Sequence, residues 1–140
     1  MNTKQNRKEL ADALRSGKYS KGRLNLRTTH DSIGVTWVTY CPFGVACEVY
    51  RQSSSQNCYW ETGYKRPITD EMSYNIDIFV TPDNGAASAF PQSFVMEYYG
   101  FTTDHMEKII GMNDKTKDNN FKEIADYIEH EVRGINVNTE

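Results

Sequence analysis

The side chains of this chain best suited to chemistry are three cysteines, Cys41, Cys47 and Cys58, and three histidines, His30, His105 and His130. Zinc sites are usually built from close pairs, so that two ligands leave one turn. Cys41 and Cys47 have five residues between them, and neither Cys58 nor any histidine has a partner at ligand spacing. No metal and no cofactor is expected. A cysteine nucleophile is the second option. Cys41 precedes Pro42, a residue type favoured at the first position of a helix, where the dipole stabilises a thiolate. A catalytic thiol also needs a histidine beside it, and nothing in the spacing brings His30 or His105 there. The plainer reading is burial, since free cysteine is among the most buried residue types. Cys47 in particular is expected to pack against the N-terminal helix, with no disulfide among the three thiols.

Phosphate and calcium chemistry leave weaker traces. Ser16-Gly17-Lys18 and Lys21-Gly22-Arg23 lack the spacing of a Walker loop or a dinucleotide fingerprint. Asp114, Asp118, Asn119 and Asn120 crowd one stretch without the alternating ligands and central glycine of an EF-hand loop. They read as turn and capping residues.

Binding residues are easier to nominate. Met1–Arg27 holds eight Lys or Arg against two acidic residues, a net +6; the rest holds eight against seventeen, a net −9. Lys18, Tyr19, Lys21 and Arg23 are therefore the candidates for contact with nucleic acid or phosphate. The plainer alternative docks a basic helix onto the acidic body of its own domain or of a second copy. With −3 overall, at most weak, non-specific nucleic-acid binding is expected. Farther along, Tyr59, Trp60 and Tyr64 are the residue types that dominate interface hot spots. The competing reading for Trp60 is that it closes the core over the hairpin.

The elements that must position these groups follow from periodicity. Asn6 with Glu9 fits a capping box for a first helix, with Thr3 an alternative cap; Leu10, Ala11 and Leu14 share a face, and Ser16-Gly17 stops it. Arg23–Arg27 alternates as a half-buried strand does. Thr28–Ser32 reads as a polar loop leading to a second strand, Gly34–Tyr40. Pro42 opens a helix burying Phe43, Val45, Ala46, Val49 and Tyr50. Glu61–Asn75 lacks periodicity and reads as a long loop; Ile76–Val80 reads as a strand ending at Pro82. Three helices follow. One runs from Pro91 to a stop at Gly100, and one is capped by Thr103 and stopped at Gly111. The last is capped by Asn120, with Phe121, Ile124, Ala125, Ile128 and Val132 inward and Gly134 as stop. The fold class is α+β: an N-terminal helix, an antiparallel hairpin or small sheet, and a C-terminal helical third, in one domain over residues 1–140.

At 140 residues and 16.1 kDa, the chain is long enough to bury a core without disulfides or metal. No apolar run approaches the length of a membrane span, and MNTKQNRKEL has no signal-like apolar region. Reduced thiols in a cytosol are the expectation, with no membrane partner.

Several segments resemble a widespread group of short, uncharacterised proteins encoded by phages and prophages. Leu14–Tyr19 and Gly22–Arg27 resemble the group's first helix end and its G-x-L-R-like strand. Cys41-Pro42-Phe43-Gly44-Val45-Ala46-Cys47-Glu48 resembles its Cys-Cys-Leu-Gly-Val-Leu-Cys-Asp motif. Pro42 stands where that motif has a second cysteine, so no role for adjacent cysteines transfers. Met112-Asn113-Asp114 and Phe121–Glu129 resemble its Leu-Asn-Asp and Phe-x-Glu-Ile-Ala-Asp-x-Ile-Glu segments. Gln52–Ala89 has no counterpart. The resemblance implies a phage accessory protein acting in the host bacterial cytoplasm, and it carries no assigned activity.

The leading expectation is a non-enzymatic protein that binds a host component, a host protein or a small signalling ligand, in host takeover or counter-defence. The alternatives are a small hydrolase or transferase using Cys41 or a carboxylate of the central stretch, and a nucleic-acid or nucleotide binder using the basic segment. A perturbed thiol beside a histidine would mark the enzyme, a continuous basic face with exposed Tyr19 the nucleic-acid binder, and an exposed apolar or aromatic patch the binding protein. A homo-oligomer is compatible with all three.

Overall fold

Asn2 opens the first helix, α1 (Thr3–Arg15), its side chain accepting the Gln5 N–H at 3.0 Å. Asn6 is not the cap: its amide donates instead to the Tyr98 carbonyl at 2.8 Å, which fixes α1 against a later helix. Thr3 is likewise inside the helix. Thr3, Arg7, Leu10, Ala11 and Leu14 form the buried stripe. The computed structural model describes residues 2–53, 57–81, 85–115 and 121–133.

The remaining elements among these residues are β1 (Ser20–Lys21), β2 (Arg27–Ser32), β3 (Val35–Tyr40), α2 (Pro42–Ser53), β4 (Tyr59–Pro67), β5 (Met72–Thr81), β6 (Gly85–Ala87), α3 (Ser93–Tyr99), α4 (Thr103–Lys115) and α5 (Lys122–His130). The class is α+β, with a mixed sheet in the order β1-β3-β2-β5-β4 and β6 beside β5. β1 runs parallel to β3; the other pairs are antiparallel.

Three expectations are corrected by the sheet. The strand expected at Arg23–Arg27 begins only at Arg27, and the supposed polar loop Thr28–Ser32 is β2 itself. Its polar side chains are satisfied across the strand pair: His30 shares a hydrogen bond with Thr39 at 2.9 Å, and Thr36 donates to Asp31 at 2.6 Å. The two-residue turn into β3 is Ile33-Gly34, at φ 49° and 79°. A β-branched residue is a poor signal for such a turn, which favours Asn or Asp. The expected long loop Glu61–Asn75 is largely the β4–β5 hairpin. Its alternation is hidden by a register shift between Thr62 and Lys65. Gly63 sits at that bulge, where a Cβ would lie 2.1 Å from the Ile76 carbonyl oxygen.

The helices follow expectation more closely. α2 starts at Pro42 and buries Phe43, Val45, Ala46, Val49 and Tyr50. α3 closes on Gly100 in the left-handed conformation. α4 is capped by Thr102 rather than Thr103: Thr102 Oγ1 accepts the His105 N–H, and His105 Nδ1 accepts the Thr102 N–H. It runs through Gly111, the expected stop, because its last turn places buried Asn113 against the Gly22 carbonyl at 3.0 Å. In α5, Ile124, Ala125 and Ile128 are buried as expected; Asn120 and Gly134 lie outside the described residues.

Packing joins the layers. α1 lies along α5, where Arg15 pairs with Glu129 and with Asp126 at 2.8 Å. Those carboxylates raise the guanidinium's pKa, Asp126 foremost. The basic helix therefore spends this charge on the acidic body of its own chain. Arg7, buried, donates to the Tyr99 carbonyl at 3.0 Å, a cation at the C-terminal end of α3. Tyr99 is fully buried and donates its hydroxyl to the Ala46 carbonyl at 2.6 Å. α2 crosses the chain at Leu26 so closely that a Cβ on Gly44 would lie 1.7 Å from the Leu26 oxygen. Among the described residues no helix is long and apolar enough to cross a membrane.

Candidate functional site

Alternation along the strands divides the sheet into two unlike faces. On one face Tyr40, Trp60 and Phe79 pack toward α2, and Phe79 is fully buried. Trp60 donates its indole N–H to Glu48 of α2 at 2.9 Å. Burial pushes the Glu48 carboxyl up, but hydrogen bonds from Arg51, Trp60 and Gln52 outweigh that and hold it below the ordinary value. Arg27 lies over the rings of Trp60 and Tyr40, 5.4 and 6.0 Å from their centroids. Beyond this cluster the same face ends in Asp31, Thr36, Ser73, Asn75 and Lys65, residues suited to water.

The other face carries most of the sheet's exposed apolar and aromatic side chains, with Thr28, Ser32 and Thr39 among them. Ladder positions place Val35, Trp37, His30, Met72, Tyr74, Ile76 and Ile78 on it. Val35 is 61% exposed, Trp37 43% and Met72 39%. His30 and Trp37 stack nearly parallel, 5.1 Å apart, and burial lowers the His30 pKa. Lys21 and Arg23 join His30, Trp37 and Tyr74 around a shallow hollow at one end. Tyr59, 49% exposed, lies opposite Val80 at one edge, and Arg66 lies over Tyr64.

The nominated residues are thus divided. Tyr59, Tyr64, Lys21 and Arg23 belong to the open face or its rim. Trp60, half-buried, faces the helices, the position of a core-closing residue. Lys18 is exposed on the turn after α1; Tyr19 is half-buried, edge-on to Tyr40 at 5.0 Å, so it is not the exposed aromatic of a basic face. Cys41 is buried, and burial pushes its thiol up to about 11 despite the Gly44 and Phe43 N–H groups aimed at it. Such a thiol stays protonated at neutral pH. His30 and His105 are engaged elsewhere, with Thr39 and Thr102. Cys47 is fully buried in the shared core, and all three cysteines are free.

A family model, a domain of unknown function (DUF8296), matches residues 1–132. The chain belongs to this family. The match takes in every described element from α1 to α5, so the open face and the helical layer behind it are both parts of the DUF8296 domain. No curated protein and no solved structure matches.

Sequence reasoning missed Trp37, Tyr74 and Met72, and weighed His30 only as a metal ligand or catalytic base. The signal was present in Val35-Thr36-Trp37-Val38-Thr39-Tyr40, which carries large side chains on both sides of a strand. An exposed strand needs them on one side only.

Proposed function

We propose that this DUF8296 chain is a non-enzymatic binding protein that docks a host protein on the open sheet face. One observation carries the reading. Where the helix-side face runs out from under the helices its residues turn polar, yet on the uncovered face Val35, Trp37 and Met72 stay exposed beside Tyr74, Ile76 and Ile78, with Ser32 and Thr39 set among them. A contiguous exposed apolar surface marks an interaction site. Trp, Tyr, Met and Arg are the types enriched at protein interfaces, with lysine depleted. The rim carries Lys21, Arg23 and Arg66 against Glu61, so the matching partner has an apolar centre and an acidic border.

The resemblance of the Cys41–Glu48 and Phe121–Glu129 segments to phage and prophage proteins supports a partner in a bacterial host. The three free, buried cysteines suit the reducing cytoplasm of that host, in a takeover or counter-defence role. A thiol held protonated, with no histidine hydrogen-bonded to it, favours binding over a Cys41 enzyme.

The test is capture from bacterial lysate by the wild-type chain and by a Trp37→Ala, Met72→Ser variant of unchanged helical content. A host protein retained by the first and lost by the second supports the reading. Equal retention by both refutes it, as does a salt-sensitive nucleic acid in place of a protein. Dimerisation of the chain through this face would make the occupant a second copy, which also overturns it.

A further inference from the structure

A second cavity, of about 280 Å³, lies where α4 meets the start of α2. Its walls are Cys41, Phe43 and Ile110, with Leu24 and Phe90 at the rim. Three features mark it as built for a ligand. Asn113, 3% exposed, lines it; its amide nitrogen donates to Gly22, which fixes Oδ1 as the acceptor, and Oδ1 is buried without a partner. A buried acceptor left unpaired is costly and calls for an explanation. Leu24 holds a left-handed backbone, φ 70°, a strain that accumulates at ligand clamps. Leu24 and Phe90 are also 81% and 55% exposed, two large apolar side chains on one rim.

The charge of the occupant follows from what surrounds it. The start of α2 offers no anion site: Pro42 has no N–H, and the Phe43 and Gly44 N–H groups already face the Cys41 sulfur. Gly44 N–H also donates to the Cys41 carbonyl at 2.9 Å. Asp114 at the rim repels anions.

We infer that this cavity takes a small aromatic molecule of one or two rings, neutral or cationic, whose N–H donates to Asn113 Oδ1. The rings lie against Phe43 and Ile110, under Leu24 and Phe90 at the rim. Binding covers the exposed rim and gives the stranded oxygen its partner. The cavity and the hollow on the open face share Leu24 and no other lining residue.

Indole is the probe, with indene as the isostere lacking the N–H and indole-3-carboxylate as the anion. Amide shifts of the isotopically labelled chain are followed in each titration. Indole should give saturable shifts confined to Leu24, Cys41–Phe43 and Ile110–Asp114. Indene should bind about three- to tenfold more weakly, the span of one net hydrogen bond, and the carboxylate more weakly still. Ala89→Trp, at an exposed lining position, fills the mouth without touching the core and should abolish the shifts. Absent or scattered shifts overturn the site; indene binding as well as indole, or the anion binding best, overturns the ligand class.

Discussion

Replacing Trp60 by alanine separates the two aromatic environments of this sheet. The side chain is half-buried between Phe79 and Tyr40, with ring centroids 5.0 and 6.2 Å away, and its N–H holds Glu48 at 2.9 Å. A fully buried tryptophan loses roughly 3–5 kcal/mol on truncation; half-burial brings the packing share to about 2 kcal/mol. The hydrogen bond to a carboxylate adds about 1.5 kcal/mol, and the lost Arg27 contact about 0.5 kcal/mol. Trp60→Ala should therefore cost about 3–4 kcal/mol, allowing for non-additivity. Trp60→Phe, which keeps a ring but loses the donor, should cost about 1–2 kcal/mol. Trp37→Ala removes only a cross-strand ring pair on a solvent-facing surface and should cost at most about 1 kcal/mol. Urea denaturation followed by far-ultraviolet circular dichroism measures all three without relying on tryptophan emission. A Trp60→Ala loss below about 1 kcal/mol, or a Trp37→Ala loss equal to that of Trp60→Ala, would refute the division of the sheet into a closed and an open face.

Other perturbations bear on the scaffold. Gly44→Ala puts a methyl 1.7 Å from the Leu26 oxygen, which is backbone and has nowhere to go; a loss of about 3 kcal/mol or more should show in the same urea assay, and a near-neutral result would contradict the crossing described. Burial first, and Arg7 second, lower the His105 pKa. The folded state then binds fewer protons than the unfolded, so this stabilisation is complete above about pH 6.5, the unfolded value, and is lost as pH falls through the lowered folded value. His105→Gln should flatten the urea midpoint between pH 7 and 5; an unchanged slope would dissociate the Thr102–His105 cap from acid sensitivity. All three thiols are buried, so a disulfide reagent at pH 7 should react slowly with the native chain and promptly with three equivalents in urea; a fast native thiol would contradict the burial of Cys41 and revive it as a nucleophile.

The helices were legible because their signals are local. In α5 the spacing of Ile124, Ala125 and Ile128 already implies a buried stripe, and in α2 Pro42 and the apolar run define start and face. The sheet was legible only in part. β2 is polar, and Thr28 to Ser32 become a central strand by pairing with β3 across a turn that lacks the usual residues and with β5, forty residues farther along the chain. β4 is hidden by one extra residue at its bulge, which breaks the alternation that marks a strand. For the same reason Trp60 and Tyr64, both nominated for an interface with core closure as the alternative for Trp60, lie on opposite faces of the sheet. Charge asymmetry left two readings of the basic end open, because composition does not say which cations find partners; Arg15 is committed to α5, and Lys21 and Arg23 lie at the rim of the open face. Convergence of Leu24, Cys41 and Asn113 on one cavity is a tertiary fact without any local trace.

The central claim is that the open face is where this chain meets its partner. Hydroxyl-radical oxidation of the chain, free and in complex with the captured host protein, reads it side chain by side chain. The account predicts that Trp37, Met72 and Tyr74 are oxidised in the free chain and protected in the complex, with Met106 and Met112 of α4 unchanged. Protection confined to the helical layer, with Trp37 and Met72 as reactive in the complex as alone, would contradict it.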